Sequence, residues 1–223
     1  MTILQNIPSL RQELERFNSG LNLPDEVVEV IVQSIRLGQK SPVKGLGLGE
    51  KAPDFILPDE NGNPYQLSRL LKHGPVVLSF FRGDWCPYCN LELQALQQAL
   101  PEIKAQGARL ISVHPQTLMH SEALTAKYGL DYPLLSDPDQ MIMEAYNVRF
   151  ALHDEVVELY RDTFGINLVS LNANGQWNLP IPATFVIGTD GLVKARHFDH
   201  DYRKRMEPSE IVDLLKQINV SAA

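Results

Sequence analysis

Cysteine is nearly absent from this chain: its 223 residues contain two, both in a single C-x-x-C, Cys86-Pro87-Tyr88-Cys89. That count leaves no framework of several structural disulfides, and the lack of a second C-x-x-C argues against a zinc ribbon. No apolar run approaches the ~20 residues that a membrane-spanning helix requires. Lys and Arg form no cluster and the formal net charge is -7, so neither a nucleic acid nor a membrane is expected as partner. Met1 to Phe17 alternates polar and apolar residues, without the basic start and unbroken apolar core of a secretory signal. A cytoplasmic location is the resulting expectation, and there a lone cysteine pair is more often catalytic than structural. With 44% hydrophobic residues, the chain can bury one sizeable core.

The position of the cysteines is informative. Pro75 to Phe81 is a short β-branched and aromatic run introduced by Gly74, which reads as a central strand, and the residues from Asn90 to Ala99 read as helix. Cys86 then starts that helix, where unpaired N–H groups and the positive dipole end favour a thiolate. Arg82 is a cation close enough in sequence to lower the thiol pKa further. Two other readings compete. A structural disulfide closing so short a loop would contribute only about 2 kcal/mol. A zinc site can be completed by His197 and His200, but zinc hairpins place the pair in a turn. Redox chemistry is therefore the leading reading, with no cofactor and no metal expected.

Ser9 and Gln12 form a capping box for a first helix to about Phe17, and Pro24, Asp25 and Glu26 open a second that Gly38 stops. Residues 1–39 read as a helical extension, 40–49 as a linker and 50–223 as the main domain. The apolar faces of the two helices are expected to pack on that domain, with a dimer interface or a lid as the alternative. Phe55 to Leu57 and Tyr65 to Leu67 flank a turn and suggest a hairpin. The cysteine strand, its helix to Gly107, kinked or restarted at Pro101, and the strand Leu110 to Val113 form a parallel, right-handed unit. Helices at 121–128, 140–146 and 155–164, a short strand at Leu134-Leu135, a hairpin from Thr184 to Arg196 and a C-terminal helix capped by Ser209 complete an α/β sandwich with a mixed sheet.

That order of elements, with C-x-x-C at its first helix, resembles the thioredoxin fold. Lys51-Ala52-Pro53-Asp54-Phe55, the Asn61-Gly62 hairpin, Pro75 to Phe81, Pro133 to Pro138 and Phe185-Val186-Ile187 are similar to the peroxiredoxin branch, the alkyl hydroperoxide reductase and thiol-specific antioxidant family. Phe81 to Leu93 is similar to a peroxiredoxin-like subgroup bearing C-P-Y-C. The resemblance spans about Glu50 to the C-terminus and implies a thioredoxin-like sandwich, a central mixed sheet flanked by helices. It also implies Cys86 as peroxidatic cysteine. Three family residues are missing: the threonine three positions before that cysteine is Gly83, the proline seven before it is Ser79, and the late-strand arginine falls at Pro182. Ile181-Pro182-Ala183-Thr184 instead matches the segment where thioredoxins carry a cis-proline, and a cis Ile181-Pro182 bond is expected.

The resemblance implies a thiol peroxidase: Cys86 reduces hydrogen peroxide or an alkyl hydroperoxide, Cys89 resolves the sulfenic acid, and thioredoxin or a similar dithiol recycles the disulfide. The alternatives are a disulfide reductase using the same pair and, outside the enzyme class, a redox-switch binding protein. Cys86 is expected to be the more exposed and more acidic thiol. Arg82 is a substitute charge of unknown direction, and Trp85 shields the thiolate. Glu92, on the helix face of Cys89, is its candidate proton acceptor, against a plain solvated glutamate. For His114 a hydrogen-bonded structural role is favoured over catalysis.

Overall fold

The computed structural model describes residues 9–222, with side chains up to residue 218; the first eight residues of the segment weighed above as a leader lie outside that range. Its centre is a five-stranded mixed sheet in the order β5-β4-β3-β8-β9. Strands β3 (Val76–Phe80), β4 (Arg109–His114) and β5 (Leu134–Ser136) run parallel, and β8 (Ala183–Ile187) and β9 (Val193–Phe198) are antiparallel to their neighbours. All five β3 residues are buried, as a strand covered on both faces must be. A small hairpin, β1 (Ile56–Pro58) with β2 (Pro64–Gln66), precedes β3, and β6 (Arg149–Ala151) pairs with β7 (Asn178–Pro180).

Alternation along β3 divides the interior in two. Val77 and Phe81 face the side holding Cys86, Cys89, Leu93 and Leu96. Val76, Leu78 and Phe80 face the other side, packing with Phe185, Tyr146 and Val148. The cysteine-bearing helix α4 (Pro87–Ala105) crosses from β3 to β4 on the first side. It runs continuously through Pro101, so the helix does not restart there. The C-terminal helix α9 (Pro208–Ala222) packs beside α4. It starts at Pro208, a residue pre-set for the first helical position, with Glu207 accepting from the Glu210 and Ile211 N–H groups; Ser209 is thus inside the first turn and not the cap.

The N-terminal helices are α1 (Leu10–Gly20) and α2 (Asp25–Lys40), each ending a little later than the sequence pattern suggests. The Ser9–Gln12 capping box is formed in both directions. α1 buries Leu10 and Leu14 against α4, and Phe17 meets the Tyr88 ring edge-on at 5.1 Å. Helix α2 lies against α7 (Asp154–Glu158) and buries only Val27 of its own residues. Beyond α7 the expected single helix loosens into a π-helical turn, Leu159–Thr163. Such turns reposition side chains relative to regular helix, and this one carries Tyr160.

Candidate active site

Cys86 occupies the N-cap position of α4, in extended backbone conformation, with Pro87 as the first helical residue. The helix therefore presents its positive end to the sulfur. Both cysteines are free and completely buried, which corrects the expectation that Cys86 is the exposed member. The cover is aromatic and cationic: Arg82 lies 3.8 Å above the Tyr202 ring and 5.2 Å from Trp85, and Trp85 meets Tyr160 edge-on at 5.6 Å.

Arg82 points inward. Its Nη2 donates to Cys86 Sγ at 3.2 Å, its Nη1 donates to Tyr160 Oη at 2.7 Å, and its backbone N–H donates to Cys89 Sγ at 3.5 Å. Burial opposes ionisation of Cys86, but the hydrogen bond from the Cys89 thiol and the Arg82 and Arg205 cations outweigh it and hold Cys86 well below the ordinary thiol range. Cys89 moves the other way. Burial, the hydrogen bond it gives to Cys86 and the negative charge on Cys86 push it well above that range. The two thiols are thus differentiated as nucleophile and proton-bearing neighbour.

Glu92 does not contact Cys89 as a proton acceptor. Its carboxylate takes the Arg205 Nε at 2.7 Å, with the two side chains only 3% and 1% exposed, and Arg205 Nη2 in turn donates to Cys89 Sγ at 3.6 Å. Burial pushes the Glu92 carboxyl up against the pull of Arg205. Neither the sequence-expected acceptor nor a solvated glutamate describes it. Arg205 is held further by the backbone carbonyls of Tyr202 and Lys204.

Gly83 explains why no threonine stands three residues before Cys86. Its φ is +149°, and a Cβ there would lie 2.6 Å from Trp85 Nε1 and 2.8 Å from Gln116 Oε1. The loop is pinned by Gln116, which accepts from the Asp84 N–H and donates to the Asp84 carboxylate, while His120 bonds the same carboxylate at 2.9 Å. His114 is buried, bonded to Ser121 Oγ at 2.6 Å and to the Gln116 N–H at 3.1 Å, and burial pulls its pKa down to about 3. It is neutral at physiological pH.

The described residues contain no cis peptide bond, so the expected cis Ile181–Pro182 bond is corrected to trans. The chain runs extended from β7 into β8 there, with the Ile181 N–H bonded to Val148 O and Ala183 paired with Phe80, and trans is the intrinsic preference of an X–Pro bond. Pro182 borders a cavity of about 320 Å³ that reaches Arg82, Tyr160 and Tyr202. Thr184 is buried opposite Ser79. Neither Pro182 nor Thr184 bonds a sulfur; the bonded partners are Arg82 and Arg205. A second cavity of about 380 Å³, lined by Phe17, Val28, Trp85 and Phe164 among others, reaches the same Arg82, Tyr160 and Tyr202 from the side of α1 and α2. Among the described residues no group of His, Cys, Asp or Glu is arranged to hold a metal ion.

Tyr160, Tyr202 and Arg205 escaped the sequence reading. They lie 78, 120 and 123 positions away from Arg82 in the chain, and no local pattern marks them.

A mixed sheet of this order with a buried, polarised C-x-x-C at the start of its first crossover helix defines an oxidoreductase of the thioredoxin-fold class. Residues 48–196 match the model of the AhpC/TSA family, and the chain belongs to that family, as an enzyme of the peroxiredoxin type. Peroxiredoxin Q, chloroplastic, of Arabidopsis thaliana is 34% identical over 213 residues, covering 93% of this chain and 82% of that protein. Thiol-disulfide oxidoreductase ResA of Bacillus subtilis is 26% identical over 170 residues, 73% of this chain and 77% of that one. The crystal structure of peroxidoxin BcpB from Mycobacterium tuberculosis shares the fold, with a TM-score of 0.61 at 24% identity over 77% of this chain and 97% of its own.

Proposed function

We propose that this protein is a thiol peroxidase in which Cys86 is the peroxidatic and Cys89 the resolving cysteine, recycled by a thioredoxin-like dithiol. The observation that carries the reading is the burial of an acidic thiol behind Arg82 and two tyrosines. Cavities of a few hundred cubic ångströms that reach its cover, Arg82, Tyr160 and Tyr202, suit a small substrate such as a peroxide. A protein disulfide needs an exposed sulfur.

The electrostatics support the order of events. Cys86 thiolate attacks a peroxide oxygen, the O–O bond breaks, and the sulfur becomes sulfenic acid. The negative charge and the hydrogen bond that kept the Cys89 proton in place are then gone, while Arg205 remains beside Cys89 at 3.6 Å. Cys89 can then ionise and attack Cys86, releasing water and forming the disulfide. The ResA likeness keeps disulfide exchange as the second reading. Trapping distinguishes them: Cys89→Ser treated with one equivalent of hydrogen peroxide should accumulate a sulfenic acid on Cys86 that dimedone labels, and Cys86→Ser should not. A Cys89→Ser protein that stays a thiol under peroxide yet captures a protein disulfide would overturn the peroxidase reading.

A further inference from the structure

Peroxide cleavage needs a donor for the departing oxygen. In this chain the threonine position is closed, because any side chain at Gly83 would collide with Trp85 and Gln116. Around Cys86 the hydroxyl that shares its cation is Tyr160. Tyr160 Oη accepts from Arg82 Nη1 at 2.7 Å, which leaves its own hydrogen free, and the other terminal nitrogen of that guanidinium holds Cys86 Sγ at 3.2 Å. Phenol and sulfur are therefore neighbours across one planar group. Tyr160 also lines both cavities that lead to Arg82. Arg82 Nε is a second donor that is buried and without a partner, although buried N–H groups are nearly always paired. A small acceptor bound beside the sulfur would satisfy it.

Resting on the peroxidase reading, we propose that Tyr160 is a catalytic residue that donates its phenolic proton to the leaving oxygen of the peroxide. Cys86 S⁻ attacks the OH-bearing oxygen of R–O–OH; the S–O bond forms as the O–O bond breaks, and sulfur loses two electrons to the peroxide. The products are Cys86–SOH and RO⁻. The phenol then gives its proton to RO⁻, yielding ROH, and the tyrosinate left beside Arg82 is reprotonated by water entering through the cavity, which departs as hydroxide with the charge that began on the thiolate. Burial raises the Tyr160 pKa against the opposing pull of Arg82, so the phenol stays protonated until a stronger base such as an alkoxide forms. The π-helical turn, Leu159–Thr163, carries this ring to Arg82 and Trp85.

The test is Tyr160→Phe, which keeps the ring that packs on Trp85 and Phe164. Reduced wild type and variant are mixed with hydrogen peroxide and with cumene hydroperoxide, and the oxidation rate of Cys86 is followed by tryptophan fluorescence. Iodoacetamide alkylation across pH reads the ionisation of the same sulfur. Loss of one preorganised donor should slow oxidation ~10²- to 10³-fold, and the variant should become more sensitive to the acidity of the alcohol released. The midpoint of the alkylation profile should stay at its wild-type value. If Tyr160 only steadied Arg82, alkylation and oxidation would fall together, and that outcome overturns the proposal, as does an unchanged oxidation rate. A wild type that peroxide oxidises no faster than free cysteine would instead sink the peroxidase reading itself.

Discussion

Removing the Arg82 cation is the sharpest perturbation the site offers. Arg82 is buried, and its Nη2 donates to the Cys86 sulfur at 3.2 Å. A hydrogen bond from a charged group contributes about 1.5–3 kcal/mol, which corresponds to roughly 10- to 150-fold in the equilibrium between thiolate and thiol. Arg82→Met keeps much of the apolar stem while deleting the guanidinium that lies over Tyr202. The sign is fixed by the geometry: the thiol becomes a weaker acid, so at neutral pH less thiolate is present. If Arg82 also faces the peroxide, a further factor of ~10²-fold applies to oxidation alone. The assay pairs stopped-flow oxidation by hydrogen peroxide with alkylation by iodoacetamide. A larger loss in oxidation than in alkylation identifies Arg82 as both ioniser and peroxide donor; equal losses confine it to ionising the sulfur. Wild-type rates in both reactions would refute the assignment, because a cation at that distance cannot be electrostatically silent.

Glu92→Gln leaves Arg205 as an unneutralised buried cation, and breaking a buried pair in this way should cost about 3–5 kcal/mol in urea unfolding; a loss below 1 kcal/mol would show that the pair is solvated in solution. For the reduced protein, the folded Cys86 pKa lies below the unfolded value of ~8.5. Its contribution is thus fully present above pH ~8.5 and is lost as pH falls through the folded value. The stability difference between wild type and Cys86→Ser should therefore grow with pH up to ~8.5, and a flat difference would contradict the ionisation assigned here. His114, with a folded pKa of about 3, should contribute a loss of about 1.4 kcal/mol per pH unit as pH falls from ~6.5 towards that value. His114→Gln should remove that slope, and an NMR titration of His114 near pH 6.5 would disprove its burial as a neutral ring.

What was legible in the chain is what local chemistry controls. The Ser9–Gln12 box, the apolar run of β3 and the placement of Cys86 at a helix start each follow from residues within a few positions of one another, and the order of elements supplied the sheet type. The less legible features depend on residues brought together from afar. Arg82 had a candidate role but no direction, because its orientation is set by Tyr160 and Tyr202. Glu92 fell on the expected helix face, yet its partner Arg205 is 113 residues away. The exposure of Cys86 was misjudged for the same reason: a helix start is usually accessible, and here the cover comes from residues 82, 85, 160 and 202. β6 and β7 were missed because each is three residues long and Pro180 closes the second, so neither shows strand alternation.

The central claim is that Cys86 is built to react with a peroxide. Its most direct test is the second-order rate of oxidation of the fully reduced protein by hydrogen peroxide at pH 7, read beside its rate of exchange with a protein disulfide. With Arg82 in place and donors at the leaving oxygen, oxidation should exceed that of a free cysteine thiolate by ~10²-fold or more and outrun the exchange. Oxidation at the free-thiolate rate, together with rapid exchange with the protein disulfide, would contradict the claim and assign the pair to disulfide reduction.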